Sequence, residues 1–108
     1  MAQSHGSKLV HTVYFSLTDK SAQVCDQFIE ICQHFLIGHP GQSNFLIGPR
    51  NHKIDRNVSD LNFDVAMTMI FDTFEDYEAY QTSARHDEFV EKISGMPHTV
   101  RVFDSYLV

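Results

Sequence analysis

Leu9-Val10-His11-Thr12-Val13-Tyr14-Phe15-Ser16-Leu17 puts His11, Val13, Phe15 and Leu17 on one side of an extended chain and Val10, Thr12, Tyr14 and Ser16 on the other. β-Branched and aromatic residues dominate the run, so it reads as a strand that is apolar on one face and mixed on the other. The pattern returns at Phe63 to Asp72, where Phe63, Val65, Met67, Met69 and Phe71 alternate with Asp64, Ala66, Thr68 and Ile70. Ser43 to Gly48, closed by Gly48-Pro49, and Thr99 to Leu107 supply two further strands.

The intervening segments change period. From about Ser21 the apolar positions are Cys25, Phe28, Ile29, Cys32, Phe35 and Leu36, the three-and-four spacing of an amphipathic helix, which Gly38 and Pro40 stop at about Ile37. Thr73 can cap a second helical region over Phe74 to Ser94, with Glu75 and Asp76 near the positive end of its dipole. Thr82 and Ser83 compete for backbone hydrogen bonds and are expected to break that region, and Gly95 with Pro97 ends it. Arg50 to Asn62 is polar and reads as a loop long enough to serve as a flap. The predicted order is β-α-β-β-α-β: an α+β, ferredoxin-like fold with a four-stranded antiparallel sheet and both helices on one face.

The sheet face left bare by the helices is not polar. By alternation it carries Val10, Tyr14, Leu46, Ala66, Ile70 and Phe103, and an apolar patch of that kind marks an association surface. Two such sheets stacked face to face would form a homodimeric α/β barrel; the alternative is a monomer with scattered surface apolar residues.

The chain has 108 residues with 43% apolar content and no apolar run of membrane-spanning length, as expected for one compact domain over residues 8–108. Met1 to Ser7 is polar, lacks a secretory pattern, and reads as a flexible terminus of a cytoplasmic protein. Eight Lys and Arg against 14 Asp and Glu give a net charge of −6, and no basic cluster is interleaved with aromatics. Nucleic acid and anionic membranes are therefore not expected partners. Cys25 and Cys32 stand seven residues apart on a helix, ~10 Å at 1.5 Å per residue, which is too far for a disulfide. Both are expected as free thiols packed as small apolar groups.

Seven histidines are a high count, but no pair has the spacing of a zinc site, so no metal is expected. His34, His39, His52 and His98 fall near helix ends or loops. Gly38-His39-Pro40-Gly41 is turn punctuation, and Asp104 carries no assigned role. His11 opens a strand on the face under the helices, while Tyr80 and His86 lie six residues apart in the second helical region. Six residues of regular helix rotate by about 600°, which points the two side chains to different faces; a break near Ser83 would bring them together. Histidine handles protons near neutral pH, and a phenol can hold a carbonyl or enolate oxygen.

Several segments together carry a family resemblance: strand-initial His11, the Phe63-Asp64-Val65 entry to a strand ending at Phe71, Tyr80-Gln81-Thr82-Ser83-Ala84-Arg85-His86 followed by Phe89-Val90, and the closing Val102-Phe103-Asp104. From Leu9 to Tyr106 the chain resembles the stress-responsive A/B barrel, or dimeric α/β barrel (Dabb), family. The resemblance implies a homodimer. One branch of the family is a plant polyketide cyclase that closes a linear polyketide by intramolecular aldol condensation. Its acid-base histidine and the tyrosine six residues earlier align with His86 and Tyr80, and a pocket histidine aligns with His11. Val65 stands where the cyclase has a further pocket histidine, and Ser83-Ala84 replaces a His-Pro pair.

Three readings follow. One is a cofactor-free lyase, cyclase or isomerase acting on a small molecule, with His86 as acid-base, Tyr80 as oxyanion donor and His11 as an orienting group, in a pocket lined by Val13, Val65, Met67 and Phe89. Another is a non-catalytic stress-responsive dimer in which His11, His86 and Tyr80 are satisfied core residues. The third, a haem- or oxygen-dependent monooxygenase on the related barrel, has no visible cofactor signature.

Overall fold

The computed structural model describes residues 8–108; the N-terminal segment read as flexible, residues 1–7, lies outside the described residues. The elements are β1 (Leu9–Leu17), α1 (Ala22–Leu36), β2 (Gln42–Pro49), β3 (Val65–Phe71), α2 (Phe74–Gln81), α3 (Ala84–Ile93) and β4 (His98–Tyr106). All pairings are antiparallel, and the strand order is β2-β3-β1-β4, the ferredoxin-like arrangement. Among the described residues no helix is long and apolar enough to cross a membrane.

Strand alternation builds the core directly. Leu9, Val13, Phe15 and Leu17 of β1 and Val65, Met67, Met69 and Phe71 of β3 are buried, together with Phe28, Cys32 and Leu36 of α1 and Tyr80, Phe89 and Ile93 of α2 and α3. Burying each large apolar side chain contributes about 1.5–3 kcal/mol, which makes this layer the main source of stability. Helix starts are set locally. Ser21 Oγ accepts from the Val24 N–H (3.3 Å) and Thr73 Oγ1 from the Asp76 N–H (3.1 Å). Gly41, at φ 77°, lies so close to the Asp76 side chain that a Cβ there would collide with it.

Phe63 departs from the alternation, which places it in the third strand on the same face as Val65. The strand begins only at Val65, because the preceding residues turn. Asp64 accepts from the Leu17 N–H (2.7 Å) and from Lys20 (2.8 Å), and the Phe63 ring packs on Tyr14 at 5.0 Å, on the opposite side of the sheet. Phe63 is therefore not part of the core or cavity wall. The segment leading to it bends the same way: Arg101 donates to Asp60 (2.8 Å) and to the Asn62 carbonyl (3.1 Å), and Ser16 donates to that carbonyl too (2.8 Å). Asp60 to Phe63 thus lies on the face away from the helices, not over the helix-side cavity.

Candidate functional site

The second helical region breaks where two hydroxyl side chains meet. Thr82 Oγ1 donates to the Glu78 carbonyl (3.1 Å) and Ser83 Oγ to the Tyr80 carbonyl (2.8 Å), which ends α2. Ser83 Oγ also accepts from the His86 N–H (3.2 Å) and so caps α3. The break cancels the rotation that separates residues six apart on a continuous helix. Tyr80 and His86 consequently meet edge to face, with ring centroids 5.0 Å apart.

His11 reaches the same place from the sheet. Its ring lies 6.1 Å from Tyr80 and 5.3 Å from Tyr77. In the β1–β4 register Asp104 stands directly opposite His11, and its Oδ1 is 2.6 Å from His11 Nδ1. A carboxylate accepts, so Nδ1 carries the hydrogen and Nε2 of neutral His11 keeps its lone pair. His39 also packs on Tyr80, at 4.9 Å, with its Nε2 donating to the Phe35 carbonyl (2.8 Å).

His11, Tyr77, Tyr80 and His86 line a cavity of about 400 Å³ between α2, α3 and the β1–β4 half of the sheet. Its polar end holds His11, Tyr77, Tyr80, Gln81 and His86; the rest of the wall is mostly apolar and includes Val13, Met67 and Phe89. Val65 is not in the wall. It is fully buried beside Phe15 and Pro49, toward the far edge of the sheet, where it packs as core. The cavity opens between α3 and β4, and Val90, Val100 and Val102 remain about half exposed there (51%, 48% and 47%).

The electrostatics sort the groups into roles. Burial pushes the Tyr80 phenol pKa upward, with Cys32 and Tyr77 adding to the shift, so it stays a hydrogen-bond donor at any physiological pH. Burial likewise pushes the Cys32 thiol up to about 12, which makes it an unreactive packing group. Burial lowers the His86 pKa below 6.5, and His11 and His39 reinforce this against the opposing Asp87 charge, so His86 is neutral near pH 7. Among the described residues no buried side-chain polar atom lacks a partner, and neither the Tyr80 hydroxyl nor the His86 ring hydrogen-bonds to a protein group. Both polar tips are therefore open to the cavity. Among the described residues no group of three His, Cys, Asp or Glu is arranged to hold a metal ion.

Asp104, His39 and Tyr77 escaped sequence reasoning. Asp104 pairs with His11 only through strand register, and His39 is buried only because the turn after α1 folds inward. A signal for Tyr77 was present: it precedes Tyr80 by three residues, on the same side of a helix.

Fold and cavity together define a ferredoxin-like α+β domain with a helix-side pocket rich in proton-handling groups. The chain belongs to the stress responsive A/B barrel domain family, whose model matches residues 9–107. No curated protein matches it by sequence. Among solved structures it is similar to a dimeric ferredoxin-like protein of unknown function from Thermobifida fusca, at 20% identity over 94% of this chain and 92% of that one, with TM-score 0.73. A Dabb family protein from Mesorhizobium loti gives 20% identity over 94% and 98%, with TM-score 0.73. The hydroxynitrile lyase of Passiflora edulis gives 15% identity over 94% of each chain, with TM-score 0.75.

Proposed function

We propose that this chain is a homodimeric small-molecule enzyme: a cofactor-free lyase, cyclase or isomerase that moves a proton next to a carbonyl. The observation that carries the reading is the convergence of His86, Tyr80 and the Asp104-held His11 at the polar end of one open, largely apolar cavity. A side-chain-filled core would have favoured the non-catalytic stress-responsive dimer instead. His86, neutral and accessible, takes a proton from the carbon beside a ketone. The C–H electron pair moves into the enolate, and the Tyr80 hydroxyl donates to the developing oxyanion. His11, its tautomer held by Asp104, offers Nε2 to a hydroxyl or enol of the bound molecule. The protonated His86 then returns its proton to carbon or to a leaving oxygen, which closes the cycle without an external redox partner.

The homodimer reading rests on the open sheet face, where Leu46 and Phe103 stay more than half exposed beside Val10, Tyr14, Ala66 and Ile70. Similar solved proteins described as dimeric support it. Free Cys25 and Cys32 fit a reducing, cytoplasmic setting.

Exchange of the α-protons of 4-phenylbutan-2-one in deuterated buffer, followed by NMR, tests the chemistry. The wild-type protein should accelerate exchange, with a rate that is flat at neutral pH and above and falls on acidification as His86 takes up its proton. His86→Ala should lower the rate by about 10²–10⁴-fold, the usual worth of a general base. Exchange at the same rate in His86→Ala and Tyr80→Phe, with the ketone still bound, would leave a binding protein and not an enzyme.

A further inference from the structure

The helix-side cavity has a second polar end. Along β1 and β4 the facing pairs run His11–Asp104, Val13–Val102, Phe15–Val100 and Leu17–His98, all on the side toward the helices. His11 and His98 both line the cavity, so its lining spans six residues of strand, ~20 Å between Cα positions at 3.3 Å per residue. About 400 Å³ along that lining makes it an elongated slot that opens between α3 and β4. Between its ends the floor is Val13, Phe15, Val100 and Val102.

His98 is half-buried, with its ring 6.4 Å from Phe15 and 6.0 Å from Phe28. Its Nδ1 lies 2.7 Å from the Met96 carbonyl, which can only accept, so Nδ1 carries the hydrogen. Nε2 of the neutral ring is then an acceptor. Among the described residues it has no hydrogen-bond partner and is not sealed from the cavity or solvent. No Lys, Arg, Asp or Glu lines the cavity, so nothing there matches a charged tail.

We propose that His98 is a specificity residue, accepting a hydrogen bond from a hydroxyl at the far end of a long, narrow, uncharged ligand whose carbonyl head sits among His11, Tyr80 and His86. The proposal rests on the proton-transfer reading of the polar end and deepens it, since the substrate becomes a long-chain ketone carrying a distal alcohol or phenol. About nine bonds of extended chain with a hydrogen bond of ~2.8 Å at each end reach ~17 Å, and the remainder of the ~20 Å between the two strand positions is within the reach of two imidazole side chains. A hydrogen bond that one ligand makes and its analogue lacks separates the two by about five- to tenfold.

Undecan-2-one and 11-hydroxyundecan-2-one share the ketone head and chain length and differ only at the tail. Calorimetric Kd values should favour the hydroxy ketone by about five- to tenfold in the wild-type protein. That ratio should collapse to about one in His98→Leu and be partly retained in His98→Gln, whose carbonyl still accepts. In ¹⁵N-histidine spectra of the wild-type protein, the Nε2 resonance of His98 should move with the hydroxy ketone and stay in place with undecan-2-one. A wild-type ratio of one, a ratio that survives His98→Leu, or an unmoved His98 resonance would overturn the role of His98. If both ketones still undergo α-proton exchange in that case, the polar-end chemistry stands without it. If neither ketone binds or exchanges, that chemistry fails, and the assignment of His98 falls with it.

Discussion

The two faces of this sheet are built from the same strands and do opposite things. Toward the helices, β1 and β3 present Val13, Phe15, Met67, Met69 and Phe71, all buried, with His11 set among them. Away from the helices the same strands present Val10, Thr12, Tyr14, Ala66, Thr68 and Ile70, only partly covered, beside half-exposed Phe103 and Leu46. One face is finished within the chain; the other is only partly covered by it. The difference shows how a period of two lets one strand line a cavity on one side and present a partly exposed apolar face on the other without either constraining the other.

The largest effect should come from cutting into the finished face. Phe28 is fully buried against Phe15, with ring centroids 4.7 Å apart, so Phe28→Ala should remove about 3–5 kcal/mol of folding stability in a urea titration. A loss below about 1 kcal/mol would mean the helix face is packed no better than the open one. On the open face the expected loss is of assembly and not of fold. Phe103→Asp should weaken the dimer by about 2–4 kcal/mol, roughly 30- to 700-fold in Kd by analytical ultracentrifugation, while the far-UV spectrum stays unchanged. Dimers of undiminished affinity would move the interface elsewhere. The smallest effect concerns the break that serves only the helix face. Ser83→Ala removes the cap of α3 and should cost about 1 kcal/mol. It should also weaken the nuclear Overhauser contacts between the Tyr80 and His86 rings without altering dimer affinity.

Much of the site was legible because it depends on local chemistry. The hydroxyl pair at Thr82 and Ser83 was expected to break the helix, and the break occurs there by the hydrogen bonds that the residue types predict. Phe63 was misread because alternation alone cannot register that Asp64 is held by Leu17 and Lys20, which turns the preceding residue onto the other face. Asp104 was passed over for a related reason. A lone acid in a strand has no local meaning until pairing sets a histidine opposite it.

The sequence by itself determined the element order, the helix caps, the faces of β1 and β3 and the family, because periodicity, capping and turn chemistry act over a few residues. Only the tertiary structure decided that Asp104 holds His11, that His39 packs on Tyr80 and Tyr77 on His11, and that His98 lines the same cavity as His86. Those relations join residues as many as 93 positions apart. They are set by strand register and helix packing, which no short window of sequence contains.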